Sequence, residues 1–130
     1  MPMNLLTSAE LTAFHNDKVK MLEHKETLQG LCDYREQLKN TGGYDDMIKR
    51  LDEDIAGLES DIQNMNDILE AKGNMVKQTI EAVKDSTAKV LLLMHYYDAM
   101  TWDAVGHIMH MSGKNARECG YRNLRRAGIV

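Results

Sequence analysis

Seven apolar residues, Ile48, Leu51, Ile55, Leu58, Ile62, Met65 and Leu69, follow one another at steps of 3, 4, 3, 4, 3 and 4. A seam of that period belongs to a helix that lies lengthwise on another helix, and a strand cannot keep it on one face. The residues between are mostly Asp, Glu, Lys, Asn and Gln, as the solvated sides of such a helix require. The only proline of the 130 residues is Pro2, so nothing later in the chain forbids long helices. Aromatic residues make up 5%, which is sparse for a sandwich or barrel. The expected fold is all-α.

A seam needs a partner. The preceding segment supplies one in Leu11, Phe14, Met21, Leu28, Leu31 and Leu38, which recur at mostly helical steps although Lys18 and Lys25 interrupt the stripe. Ser8 is the candidate N-cap, and Asn40-Thr41-Gly42-Gly43 is a stop and turn signal. A helix over about residues 8–39, roughly 48 Å long, followed by a short turn, favours an antiparallel helical hairpin or coiled coil. The imperfect first stripe also leaves room for a second copy of the chain as partner. Gly73-Asn74 is the preferred end or kink of the second helix. Val76, Val83, Val90 and Tyr97 keep a seven-residue spacing from Leu69, so a continuous helix to about residue 97 is the alternative.

From residue 86 the composition changes. Four of the seven aromatic residues, Tyr96, Tyr97, Trp102 and Tyr121, lie in the last 40 positions, enough for a small core. Three helices fit, over about 86–98, 101–110 after Thr101 as N-cap, and 113–127 after Ser112 as N-cap. The chain is thus expected to divide into 1–74, a helical hairpin or coiled coil for oligomerisation or partner docking, and 75–130, a three-helix module whose last two helices form a helix-turn-helix.

Charge divides in a similar way. The formal net charge is −4, yet residues 1–90 carry 11 basic and 17 acidic side chains, and residues 91–130 carry five and three. From Lys114 onward five basic residues stand against Glu118 alone. The acidic total therefore masks a basic helix. Cys32 and Cys119 are far apart and expected to be reduced. The densest apolar run, Val90-Leu91-Leu92-Leu93-Met94, is far short of the ~20 residues of a membrane span. Met1-Pro2-Met3-Asn4 has no basic n-region. These features lead to the expectation of a soluble, cytoplasmic protein without membrane contact.

The stretch from Val90 to Gly106, with His95-Tyr96-Tyr97 before Thr101-Trp102-Asp103, resembles the region-four helix-turn-helix of bacterial sigma factors. It is most similar to the sigma-like tails of small phage and prophage transcription regulators. Met111-Ser112 and Tyr121-Arg122-Asn123-Leu124-Arg125-Arg126-Ala127 continue the resemblance, which covers about 40 residues and not the coil. It implies that His110 occupies a left-handed turn position usually held by Gly, and that Ala116 replaces a β-branched core residue. It also places Gly120 inside the recognition helix, where Gly costs about 1 kcal/mol relative to Ala. The residues alone agree with the module. Val105, Ile108, Met109 and Met111 offer an apolar face to Ala116 and Leu124, and Gly106 is small where two helices must approach.

A basic second helix of this kind sits in the major groove of double-stranded DNA. Lys114, Asn115, Arg117 and Glu118 are the candidate base readers, and Tyr121, Arg122, Arg125 and Arg126 the candidate phosphate contacts. Ser112 caps the helix where backbone amides can meet a phosphate. His107, His110 and Cys119 lack metal-ligand spacing, and Asp45-Asp46 and Asp52-Glu53-Asp54 fall at outward coil positions. Neither a Gly-rich phosphate loop nor a nucleophile signature is present, so no cofactor, no metal and no enzymatic activity are expected. The expectation is a sequence-specific, DNA-binding, phage-type transcriptional regulator, dimerised by its coil, with RNA polymerase or another host protein as a further possible partner. A small terminase-like DNA-packaging protein and a phage-encoded inhibitor of a host protein are the alternatives.

Overall fold

A computed structural model describes residues 5–130, which form five α-helices and, among the described residues, no strand. They are α1 (Ser8–Thr41), α2 (Asp45–Glu81), α3 (Ser86–Leu92), α4 (Trp102–Ile108) and α5 (Gly113–Arg126). A π-helical turn, Leu93–Tyr97, continues α3 directly. The fold is all-α, as the sequence predicts. Pro2 and the Met1–Asn4 stretch lie outside the described residues.

The cap of α1 is Thr7 and not Ser8. Thr7 Oγ1 accepts from the Glu10 N–H and Glu10 Oε1 accepts from the Thr7 N–H, each at 3.1 Å. Only Thr7 has a Glu three residues later, so only Thr7 can close this reciprocal box. The Ser8 N–H is left free to donate to the Val130 carbonyl at 3.2 Å. Thr7→Ala should cost about 1 kcal/mol and lower the melting temperature followed by far-UV circular dichroism.

The break expected at Gly73-Asn74 is absent, because α2 runs through both residues to Glu81. Gly73 is buried, and a Cβ there would lie 3.2 Å from Cε2 of Tyr97. It is small because an aromatic ring crosses the helix at that point. The continuous helix to residue 97 is absent too. The Ala82 and Val83 N–H groups turn back to the Thr79 and Ile80 carbonyls, and Asp85 Oδ1 caps α3 by accepting from the Ala88 N–H at 2.8 Å.

Packing gathers the described residues into two compact units. One compact unit is Val19–Ile68, and the other joins the described residues up to Lys18 to Leu69–Val130. In the Val19–Ile68 unit, α1 and α2 are joined through Gly42 and Gly43, both in the left-handed region with φ of 81° and 84°. Arg35 Nη1 meets Asp52 Oδ1 at 3.0 Å, and the Tyr34 hydroxyl donates to Met47 Sδ. Leu51 and Ile55 are buried, while Ile48, Leu58, Ile62 and Met65 are half-buried. Met21 and Leu38 on α1 are buried, with Leu28 and Leu31 half-buried. The acidic residues Asp45, Asp46, Asp52, Glu53 and Asp54 are all exposed.

The other unit draws its core from distant stretches of chain. Leu11 and Phe14 of α1, the seam residue Leu69 with Val76 and Ile80 of α2, and Leu91, Tyr96, Val105, Ala116 and Leu124 are all buried. Lys18 breaks the apolar stripe of α1 for a local reason. Its ammonium donates to the Tyr97 carbonyl at the end of the π turn and lies 4.1 Å from the centre of the Tyr97 ring. Lys77 approaches the same ring at 4.4 Å. A cation over an aromatic face is attracted by the ring quadrupole.

Candidate nucleic-acid interface

The two helices of the candidate interface start where their hydroxyl caps put them. Thr101 Oγ1 accepts from the Ala104 N–H at 3.1 Å, and Ser112 Oγ accepts from the Asn115 N–H at 3.0 Å. Between α4 and α5 the chain turns in four residues. His110 holds φ of 58°, the left-handed conformation that the resemblance assigns to its position. The Met111 N–H returns to the Gly106 carbonyl at 2.8 Å. A Cβ on Gly106 would lie 2.6 Å from the Met111 carbonyl oxygen and 2.9 Å from the Gly113 nitrogen, so the turn lies directly on the α4 backbone.

The faces of α5 are cleanly separated. Ala116, Gly120, Asn123 and Leu124 point inward at helical spacing and are buried. Ser112, Lys114, Asn115, Arg117, Glu118, Tyr121, Arg122, Arg125 and Arg126 are all exposed. None of the five cations forms an ion pair among the described residues, where the bridges are Arg35–Asp52 and Lys89–Glu81. Gly120 has a packing reason that sequence reading missed. A Cβ there would come within 2.9 Å of Trp102 Cη2 and 3.2 Å of Leu92 Cδ2. Ala116, small for the same inward stripe, is fully buried.

One expected core residue is misplaced. Ile108 is 49% exposed, and Met109 and Met111 are only half-buried. Ile108 is the last residue of α4, where the chain turns away before a further helical step could carry the side chain inward. Of that expected face, Val105 alone is fully buried. Gly106, buried beside it, is the point of close approach that the sequence suggests.

An aromatic stack holds α4 and α5 in place. The His95 ring lies between Trp102, with centroids 3.9 Å apart, and His15 of α1 at 4.1 Å. Tyr96 and Tyr121 stand perpendicular to Trp102, edge to face, with centroids 6.1 and 6.0 Å away. Two hydrogen bonds orient the stack: His95 Nδ1 to the Met100 carbonyl at 2.7 Å, and His15 Nδ1 to the His95 carbonyl at 2.6 Å. With a carbonyl as its only acceptor, His95 Nδ1 must carry the proton. The π turn makes this possible, since the Asp98 N–H reaches back five residues to the Leu93 carbonyl and swings His95 inward.

Burial, then the neighbouring His15, lower the His95 pKa to about 4. Burial, with the Tyr121 phenol adding to it, pushes the Tyr96 phenol up to about 12, partly offset by the Thr12 hydroxyl. Both side chains are therefore neutral structural groups near neutral pH. Trp102, the most specific residue of the motif, belongs to this stack. Nothing near His95 in sequence announces the partnership with His15, eighty positions earlier.

His107 and His110 are exposed and Cys119 is half-buried, and among the described residues no three His, Cys, Asp or Glu side chains stand together as a metal would require. No described helix is long and apolar enough to cross a membrane. No protein-family model matches this chain, and no curated protein or solved structure is significantly similar to it.

Proposed function

We propose that α4, the turn and α5 are a helix-turn-helix that binds double-stranded DNA, in a phage-type transcriptional regulator with α5 as recognition helix. The observation that carries this reading is the unpaired row on α5. Five cations stand on one exposed face, against a single carboxylate, on a helix whose other face is locked to Trp102, Leu91 and Leu92. Rigid backing of this kind fixes the register in which side chains meet a groove. In this reading Lys114, Asn115, Arg117 and Glu118 read base edges. Tyr121, Arg122, Arg125 and Arg126 bind phosphates, and the Ser112 end of α5 offers amides to another.

The test is duplex binding as a function of salt. Arg122→Ala or Arg125→Ala should weaken binding roughly equally across sequences and flatten the salt slope by about one. Duplex affinity no better than about millimolar at low salt, or no effect of either change, overturns the reading, because several phosphate contacts give far more.

The α1–α2 coil serves, in the same proposal, as an antiparallel hairpin that pairs two copies and sets two recognition helices on two half-sites. Support comes from Leu28, Leu31, Leu58, Ile62 and Met65, which stay half-buried and leave apolar surface for a further helix. Leu58→Asp should lower the molar mass measured by light scattering to that of one chain. An unchanged mass would remove the seam from the assembly, and a ring of many copies would favour a packaging protein.

A further inference from the structure

At the C-terminal end of the α5 row, a cleft of about 470 Å³ opens between the α2–α3 connection and the end of α5. Ala82, Lys84 and Asp85 line one side, and Asn123, Arg126 and Ala127 the other. Lys84 and Arg126 are exposed and pair with no carboxylate among the described residues. Asp85, the only acid in the lining, is engaged in capping α3 through the Ala88 N–H at 2.8 Å. Its charge is thereby turned toward a helix N-terminus, where it is stabilised.

Helix C-termini ordinarily repel anions through their free carbonyls, but here several of those carbonyls are occupied. Those of Asn123, Leu124 and Arg125 accept from the N–H groups of Ala127, Ile129 and Gly128. At the end of α2, Thr79 and Ile80 accept from Ala82 and Val83. The inner wall of the cleft is Asn123, only 7% exposed, a polar residue in an otherwise apolar and glycine stripe. Its Nδ2 donates to the Cys119 carbonyl at 2.8 Å, which fixes the wall.

We propose that this cleft is a phosphate site, in which Lys84 and Arg126 hold the oxygens of one phosphate group. Two cations from separate segments of the chain line the same cleft, one a compact ammonium and the other a planar fork suited to two oxygens at once. The phosphate comes from the duplex backbone, in which case the site rests on the DNA reading above and lengthens its footprint beyond α5. Free phosphate or a small phosphorylated ligand presents the same chemistry.

The experiment uses the full chain and the exposed-site variants Lys84→Gln and Arg126→Gln. In the first arm, duplex affinity is measured across a salt series. Lys84→Gln should weaken binding about fivefold near ~0.1 M salt and reduce the slope by about one. In the second arm, inorganic phosphate is titrated at constant ionic strength, balanced with chloride, while amide resonances are followed by NMR. The amides of Lys84, Asp85 and Arg126 should shift with saturation in the wild type and not in either variant. A response of duplex affinity to Lys84 assigns the site to backbone phosphate. A saturable phosphate response without any duplex effect establishes the site for a small ligand, and does so even if the chain binds no DNA. If neither arm responds, the phosphate site is overturned, and Arg122→Ala still decides the DNA reading separately.

Discussion

Gly106→Ala should destabilise the protein by about 3 kcal/mol and lower its melting temperature by about 10 °C. The added methyl would meet three backbone atoms of the turn: the Met111 carbonyl oxygen at 2.6 Å, the Gly113 nitrogen at 2.9 Å and the Ser112 carbonyl carbon at 2.9 Å. No rotamer change relieves a collision with backbone. The turn would have to lift from α4, which also strains the hydrogen bond from the Met111 N–H to the Gly106 carbonyl. Alanine gains about 1 kcal/mol over glycine in helix propensity, so the steric cost must outweigh that gain.

Two other glycines calibrate the result. At Gly120 the new methyl would meet side-chain atoms instead of backbone: the Leu92 and Leu91 methyls can give by a few tenths of an ångström, although Trp102 at 2.9 Å is held in the stack. At Gly57, an exposed position of α2, it would meet nothing within 4 Å. Thermal melts should therefore rank Gly106→Ala well below Gly120→Ala, and both below Gly57→Ala, which should rise above the wild type. A Gly106→Ala protein as stable as the wild type would mean that the turn does not lie against α4 as described.

Acidification should unfold the protein earlier than its carboxylates alone would require. His95 in the stack has a pKa near 4, against about 6.5 in an unfolded chain. Between those values the unfolded chain takes a proton that the folded one refuses. Stability from this group is therefore complete above about pH 6.5 and falls as the pH drops toward 4. The loss is on the order of 2 kcal/mol, below the ideal figure because solvent still reaches part of the site.

The groups facing the ring reinforce the direction. His15 lies 4.1 Å away, and the Trp102 and Tyr96 rings offer no counter-charge. His95→Gln cannot take up that proton, so its melting temperature should be lower at pH 7, from the lost stack, yet flatter between pH 6.5 and 4. Parallel curves for the two proteins would exclude His95 as the titrating group.

Features fixed by neighbours in the chain are legible from residue order alone. Thr101 and Ser112 cap the helices that their positions predict, and the residues of the Ile48–Leu69 seam are all buried or half-buried. All nine candidate DNA contacts are exposed for the same reason, since one helical period decides which side of α5 they occupy. What was missed depends on contacts across long sequence separations. Gly73 reads as a terminator until the Tyr97 ring is seen above it. Lys18 reads as a flaw in a stripe until the Tyr97 carbonyl is found at its ammonium. The choice of Thr7 over Ser8 was within reach, because the Glu three residues later singles it out. Lys84 had no motif at all, and only the cleft brings it beside Arg126.

The discontinuous packing unit bears on the order in which the protein can form during synthesis. Every contact internal to Val19–Ile68 is available once that stretch has left the ribosome. Phe14, His15 and Lys18 emerge earlier still, yet their partners His95 and Tyr97 are made about eighty residues later. The start of α1 must therefore wait for these aromatic partners, although α2 reaches Phe14 sooner at Gly73. His15, His95 and Trp102 all precede Lys114, so by the time the basic residues of α5 emerge, the stack that orients them is already in the chain.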